Sequence, residues 1–241
     1  WSGFPGDGGP ATSAQLYHFH DVARHLSDAL LRVAHLHGRL APVREVVHFE
    51  PARAEWMRLA AHPRSRPLAV IGRLDSTAIY DHARWQAGYR MLEPNAVGVG
   101  GVYYAPAACS ITRDVLGDVL AQALPGRAVT ATPDPRQLLI GELRAVAKRL
   151  GRPLRGIALI ENTDFTTGTD EFRGLAEDLT RRGLAAVAAD PRELRLSRGR
   201  LMVRGVAVDL LYRDSELAEF VAMERAGAHL TALRQAVREA R

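Results

Sequence analysis

Four polar side chains in the first half of the sequence have the types and spacing of a phosphoryl-transfer site: Arg73 and Asp75 on one segment, Glu93 and Asn95 on another. Residues two apart on a strand point to the same side, so each pair shares a face, and pairing of the two segments would bring all four together. Two carboxylates and an amide oxygen are hard oxygen ligands of the kind that suit magnesium, which keeps waters and takes further ligands from substrate phosphates. An arginine beside them can grip a phosphoryl group or a carboxylate through two parallel hydrogen bonds. The alternative is a surface hairpin in which Arg73 makes an ordinary ion pair with Asp75 or Glu93, worth at most about 1 kcal/mol. The apolar runs that Asp75 and Glu93 terminate favour the first reading, because burying such groups without compensation costs several kcal/mol.

The elements that must position these residues are strands expected over 67–75 and 85–95, joined by a polar loop into a hairpin or near-hairpin. Before them, apolar residues at helical spacing from Leu16 to Ala34 predict a long amphipathic helix over 12–39, capped by Thr12 or Ser13 and stopped by Gly38. A shorter helix is expected over 52–61. His18, Asp21 and His25 could share one face of the long helix, but exposed, unligated histidines are the commoner case. Helices over 111–124 and 135–150 follow, with Gly98, Gly100 and Gly101 as a turn rather than a nucleotide loop.

The texture changes after Gly151-Arg152-Pro153. An apolar run over 156–160, an amphipathic helix over 170–182 closed by Gly183, and a second apolar run over 184–188 make a βαβ unit with a parallel sheet. Short strands over 200–203 and 206–212 and helices over 215–223 and 228–241 complete it. The expected organisation is therefore two domains, 1–152 and 153–241, of mixed α/β (α+β) class. The loop over 161–169, at the carboxyl end of the first parallel strand, is where such a sheet receives ligands. Asn162, Asp164, Thr166 and Thr167 are the candidates there, with helix capping as the competing role for Thr167 or Thr169.

Composition narrows the function classes. The 241 residues are 47% hydrophobic and 24% charged, and no apolar run reaches the roughly 18 residues of a membrane span. The formal charge of +5 is spread singly rather than clustered with aromatics, which argues against nucleic acid. One cysteine, Cys109, precludes an internal disulfide or a multi-cysteine zinc site, fits a reducing cytoplasm, and is expected to be buried filler. Lys148 is the only lysine. No leader is discernible after Trp1, and the chain is read as starting short of its true beginning.

Gly72-Arg73-Leu74-Asp75 and Tyr89-Arg90-Met91-Leu92-Glu93-Pro94-Asn95-Ala96 resemble the G-R-x-D and E-x-N-A signatures of the circularly permuted ATP-grasp family typified by glutathionylspermidine synthase. Ile157–Ile160, Glu171-Phe172, Leu175–Leu179, Gly183, Arg200-Leu201 and Val208–Arg213 are similar to the pre-ATP-grasp domain of these proteins, so the resemblance covers roughly 67–241. It implies an ATP-grasp-like antiparallel sheet with helices followed by a small, partly parallel pre-ATP-grasp domain. Magnesium would be held by Asp75, Glu93 and Asn95, the reacting phosphate contacted by Arg73, and ATP used to join a small-molecule or peptide carboxylate to an amine, with a homodimer allowed. In the family, the lysines that hold ATP phosphates follow the helix matching 228–241, so the nucleotide grip is expected outside this chain. Val97-Gly98-Val99-Gly100-Gly101 departs from the family's pattern after Asn95-Ala96 and argues against glutathione as substrate. The rival reading is a non-catalytic binding or scaffold protein of the same fold; a Rossmann oxidoreductase lacks its G-x-G-x-x-G after Ile160.

Overall fold

A computed structural model describes residues 13–60, 71–77, 85–123, 125–126, 134–164 and 170–239. The chain is mixed α and β, with antiparallel and parallel sheets, and divides into two compact units, one reaching Val97 and taking back 237–239, the other spanning Gly98–Ala236. The second unit thus starts some 55 residues before the sequence-based boundary at 152/153 and includes the two helices that precede the parallel sheet.

In the first unit, α1 (Ser13–His37) is followed by α2 (Ala41–Val46) and α3 (Pro51–Ala60). The α2 turn was not expected; Pro42 in its first turn needs no N–H there, which suits helix initiation. His18 packs edge-on against Trp85, centroids 5.1 Å apart, and Phe19 lies 5.5 Å from Tyr89. His25 Nδ1 bonds the backbone oxygen of Asp21 at 2.7 Å, while Asp21 accepts from Arg24, so these groups are engaged in packing and local bonding. Trp56 is the one apolar side chain of this unit that is fully buried among the described residues.

Two antiparallel strands, β1 (Arg73–Thr77) and β2 (Arg90–Asn95), complete the unit. Two corrections apply. The second segment is not one strand over 85–95: Trp85–Gly88 forms a helical turn, α4, because Trp85 turns to join His18 and Phe19. Neither strand is central and buried, since β2 is largely exposed and β1 only half-buried. Residues 67–70 of the first expected strand, the loop between the strands and the opening GDGG lie outside the described residues.

In the second unit, α5 (Ala105–Ala123) begins six residues earlier than its expected start and carries Cys109, exposed rather than buried. Next come α6 (Pro135–Arg149), β3 (Gly156–Ile160), α7 (Asp170–Arg181) and β4 (Ala185–Ala189), then a meander of β5 (Arg195–Ser197), β6 (Arg200–Val203) and β7 (Val206–Val208), and finally β8 (Leu210–Arg213), α8 (Leu217–Arg225) and α9 (Thr231–Arg238). The parallel sheet has the order β4-β3-β8, with β3 central and wholly buried. Leu139, Leu143 and Val146 of α6, Leu175 and Leu179 of α7, and Phe220 of α8 fill the core around it. Both meander turns place an arginine and a glycine at positive φ, Arg198-Gly199 and Arg204-Gly205, as the twist of two-residue hairpins requires.

β4 is an edge strand whose outward backbone is closed by side chains. The Ala186 N–H donates to Thr180 Oγ1 at 3.3 Å, the Thr180 hydroxyl donates back to the Ala186 oxygen, and Arg204 donates to the Ala188 oxygen at 3.0 Å. Such occupation blunts the tendency of an open edge to pair with another chain.

Candidate functional site

The ladder sets Arg73 opposite Asn95, Leu74 opposite Pro94 and Asp75 opposite Glu93, then slips by one residue between Asp75 and Ser76. The four expected side chains therefore lie on one face, and the bulge that follows Asp75 ends the regular ladder there, a feature common beside active sites. Pro94 is tolerated because this two-stranded ribbon leaves an edge where no ladder N–H is needed.

Arg73 donates from Nε to Asp75 Oδ1 at 2.7 Å and from Nη2 to Asp75 Oδ2 at 3.0 Å. The Asn95 amide donates to Asp75 Oδ2 and to Glu93 Oε1, both at 3.2 Å, tying the carboxylates together. The hydrogen bonds from Arg73 hold the Asp75 carboxyl below the usual carboxylate range and raise the guanidinium in turn. Arg73 thus supplies the positive charge, and the neutral Asn95 amide the N–H donors, that two facing carboxylates demand.

The residues fit a magnesium ion in kind: two carboxylates and an amide on one face of a sheet. The amide orientation follows its hydrogen-bond partners, and turning it over would present oxygen to the same space. Among the described residues no group of three or more His, Cys, Asp or Glu side chains is placed to hold a metal ion, so Asn95 and substrate oxygens would have to complete the coordination.

The weaker candidates in the second unit have clear local partners. Asn162 Oδ1 accepts from the Asp164 N–H at 3.2 Å, forming an Asx turn, and Asp164 pairs with Arg192 at 2.7 Å. The Asn162 Nδ2 is buried with no hydrogen-bond partner among the described residues. Thr166, Thr167 and Thr169 lie outside the described residues.

Sequence reasoning passed over three acids around them, of which Glu161 and Asp190 are buried and Asp214 is exposed. At the carboxyl ends of β3, β4 and β8 stand Glu161, Asp190 and Asp214. Burial pushes the Glu161 carboxyl up, and the Asp214 charge adds to it; the exposed Asp214 is raised by partial desolvation and by the charges of Glu219, Glu171 and Glu216. The signal available in sequence was positional: an acid directly following each of three apolar strands.

Asp190 behaves oppositely. Burial pushes its carboxyl up, but the Arg192 guanidinium, the Arg192 N–H, and the Thr163 N–H and hydroxyl outweigh burial and bring it to about 2 from an ordinary 3.8. A carboxyl whose folded pKa is depressed contributes stability above its unfolded pKa and loses it as pH falls through the folded value. Asp190 is therefore expected to remove about 2 kcal/mol of stability between pH about 4 and about 2. Urea unfolding across that range, compared with Asp190→Asn, checks this: the variant should show a smaller acid loss, and parallel curves would refute it.

No protein-family model matches the chain, and no curated protein matches it.

Proposed function

We propose that the chain carries the metal-binding half of an ATP-dependent carboxylate–amine ligase, together with the smaller α/β domain that follows it in circularly permuted ATP-grasp proteins. The observation that supports this most is the convergence of Arg73, Asp75, Glu93 and Asn95 on one face of β1 and β2, in register and hydrogen-bonded to one another. Magnesium bound there would supply charge neutralisation for the phosphoryl group passing from ATP to the substrate carboxylate. Asp75, Glu93 and Asn95 would hold the ion. Arg73, released from Asp75, would bind the equatorial oxygens of the transferring group, a contribution that is positional and electrostatic. The acyl-phosphate so formed would then be attacked by the amine, the acyl C–O bond breaking to release inorganic phosphate as the amine loses a proton and the amide forms.

A second reading, a non-catalytic binding or scaffold protein, is favoured by one specific observation: both oxygens of Asp75 already accept from Arg73. Calorimetric titration of magnesium and ATP, separately and together, distinguishes the two. Magnesium binding is expected with the native chain, with ATP adding little because its phosphate-holding lysines are expected outside this chain, and the metal affinity is expected to weaken at least about tenfold in Asp75→Asn, Glu93→Gln, as loss of two charged ligands implies. Equal binding by both proteins would sink the ligase site, and no binding by either would favour the scaffold.

A further inference from the structure

Between α7 and the outer edge of β4 lies an open cleft of about 630 Å³, within the range of small-molecule sites. Its floor is made by the alanines of β4 and by Ala176. The backbone of that edge cannot receive a peptide strand, because Thr180 occupies both polar groups of Ala186 and Arg204 occupies the Ala188 oxygen. The occupant must therefore interact through side chains.

Glu161 lies at the inner end of the cleft, where β3 stops. It is 9% exposed, and only burial and the Asp214 charge act on its carboxyl, with no hydrogen bond or favourable charge from the described residues. Partial burial and the neighbouring charge of Asp214 both disfavour the charged form of this carboxylate. A group with several N–H donors and a positive charge would relieve both costs, which describes a protonated amine. Arg173, Arg181 and Arg204 also line the cleft, with Glu177; Arg204 is held by both oxygens of Glu193 at 2.6 Å, while Arg181 gives one Nη2 bond to Asp178 at 3.2 Å and keeps its Nε edge for a ligand. Arginines at that density suit a carboxylate, through two parallel hydrogen bonds, and oppose a second ammonium.

We propose that this cleft binds a small zwitterion, an amino acid or a short ω-amino acid, with its ammonium on Glu161, its methylenes against the β4 alanines and its carboxylate among the arginines. The site stands whether or not the ligase reading holds, since it uses neither magnesium nor ATP.

Titration calorimetry of the full chain with 5-aminopentanoate, pentylamine and pentanoate, without metal or nucleotide, tests it. The zwitterion is expected to bind, with each half-ligand at least about tenfold weaker, since a hydrogen bond to a charged group is lost in each case. Glu161→Gln is expected to weaken the zwitterion at least about tenfold while leaving pentanoate unchanged. That variant removes a charge that burial and Asp214 oppose, so it should fold as stably as the native chain, checked by thermal melting. Ala188→Leu, which fills the cleft, should abolish binding with the Glu161 carboxylate intact. Pentylamine binding as tightly as the zwitterion, equal affinity in Glu161→Gln, or no saturable heat at concentrations on the order of millimolar would each overturn the proposal.

Discussion

Asp178→Ala is expected to lower the unfolding free energy by about 2–3 kcal/mol and the melting temperature by roughly 4–12 °C. Asp178 sits on α7 with its side chain 8% exposed and faces three guanidiniums: Arg182 at 2.6 Å, Arg181 at 3.2 Å and Arg136 of α6 at 3.7 Å. Removing a buried partner typically costs about 3–5 kcal/mol, because the opposite charge is left buried and unpaired. The cost here falls below that range for two reasons. Arg136 and Arg182 are 22% and 27% exposed, so water reaches them. Both also keep Asp134, which binds Arg136 at 2.9 Å and Arg182 at 3.5 Å. Asp134 cannot replace Asp178 fully, since one of its oxygens also caps α6 by accepting from the Arg136 N–H at 2.9 Å. Denaturant unfolding of native, Asp178→Ala and Asp178→Asn proteins measures the effect. A change below about 1 kcal/mol in the alanine variant would reduce the cluster to a surface feature.

What could be read in the sequence follows from how local each signal is. The β3-α7-β4 unit was legible to within a residue or two, because a wholly apolar run, a 3.6-residue period and Gly183 at φ +83° each act over a few residues. The break between β7 and β8 was not. The segment 206–212 reads as one strand, yet Asp209 accepts from the N–H groups of Arg155 and Gly156 while its own N–H donates to the Gly156 oxygen. Those bonds reach across more than 50 residues and move the chain from the meander into the parallel sheet. In the same way, Trp85 was drawn out of a strand by aromatic partners on α1. The shared face of Arg73, Asp75, Glu93 and Asn95 was legible because strand periodicity is strict, whereas the bulge after Asp75 and the choice of Arg73 as its partner depend on register and rotamer. Glu161 opens the loop expected to receive ligands but is not singled out by the sequence, because its place in a cleft is decided by α7 and β4 rather than by its neighbours in sequence.

Gly156 offers the sharpest test of how closely the second unit is packed, because Gly156→Ala is expected to destabilise by about 3 kcal/mol or more. An alanine Cβ at this position would lie 2.0 Å from the Ala207 oxygen and 3.3 Å from Val206 Cγ1. The first of these is backbone, so no rotamer change relieves it, and β7 or β3 must move. β3 cannot shift freely: it is buried throughout and hydrogen-bonded to β4 on one side and β8 on the other. Backbone displacement in a core packed to crystal density is what makes added atoms costly. The contrast is Gly141→Ala in α6, where a Cβ would meet nothing within 4 Å. There the same substitution should stabilise by roughly 0.5–1 kcal/mol, through reduced unfolded-chain entropy and better helix propensity. Opposite signs for one chemical change, measured by urea unfolding, would show that close approach of β7 is what demands glycine at the start of β3. If Gly156→Ala cost less than about 1 kcal/mol, the strands would have to separate easily, and the position of Glu161 at the far end of β3 would be correspondingly loose.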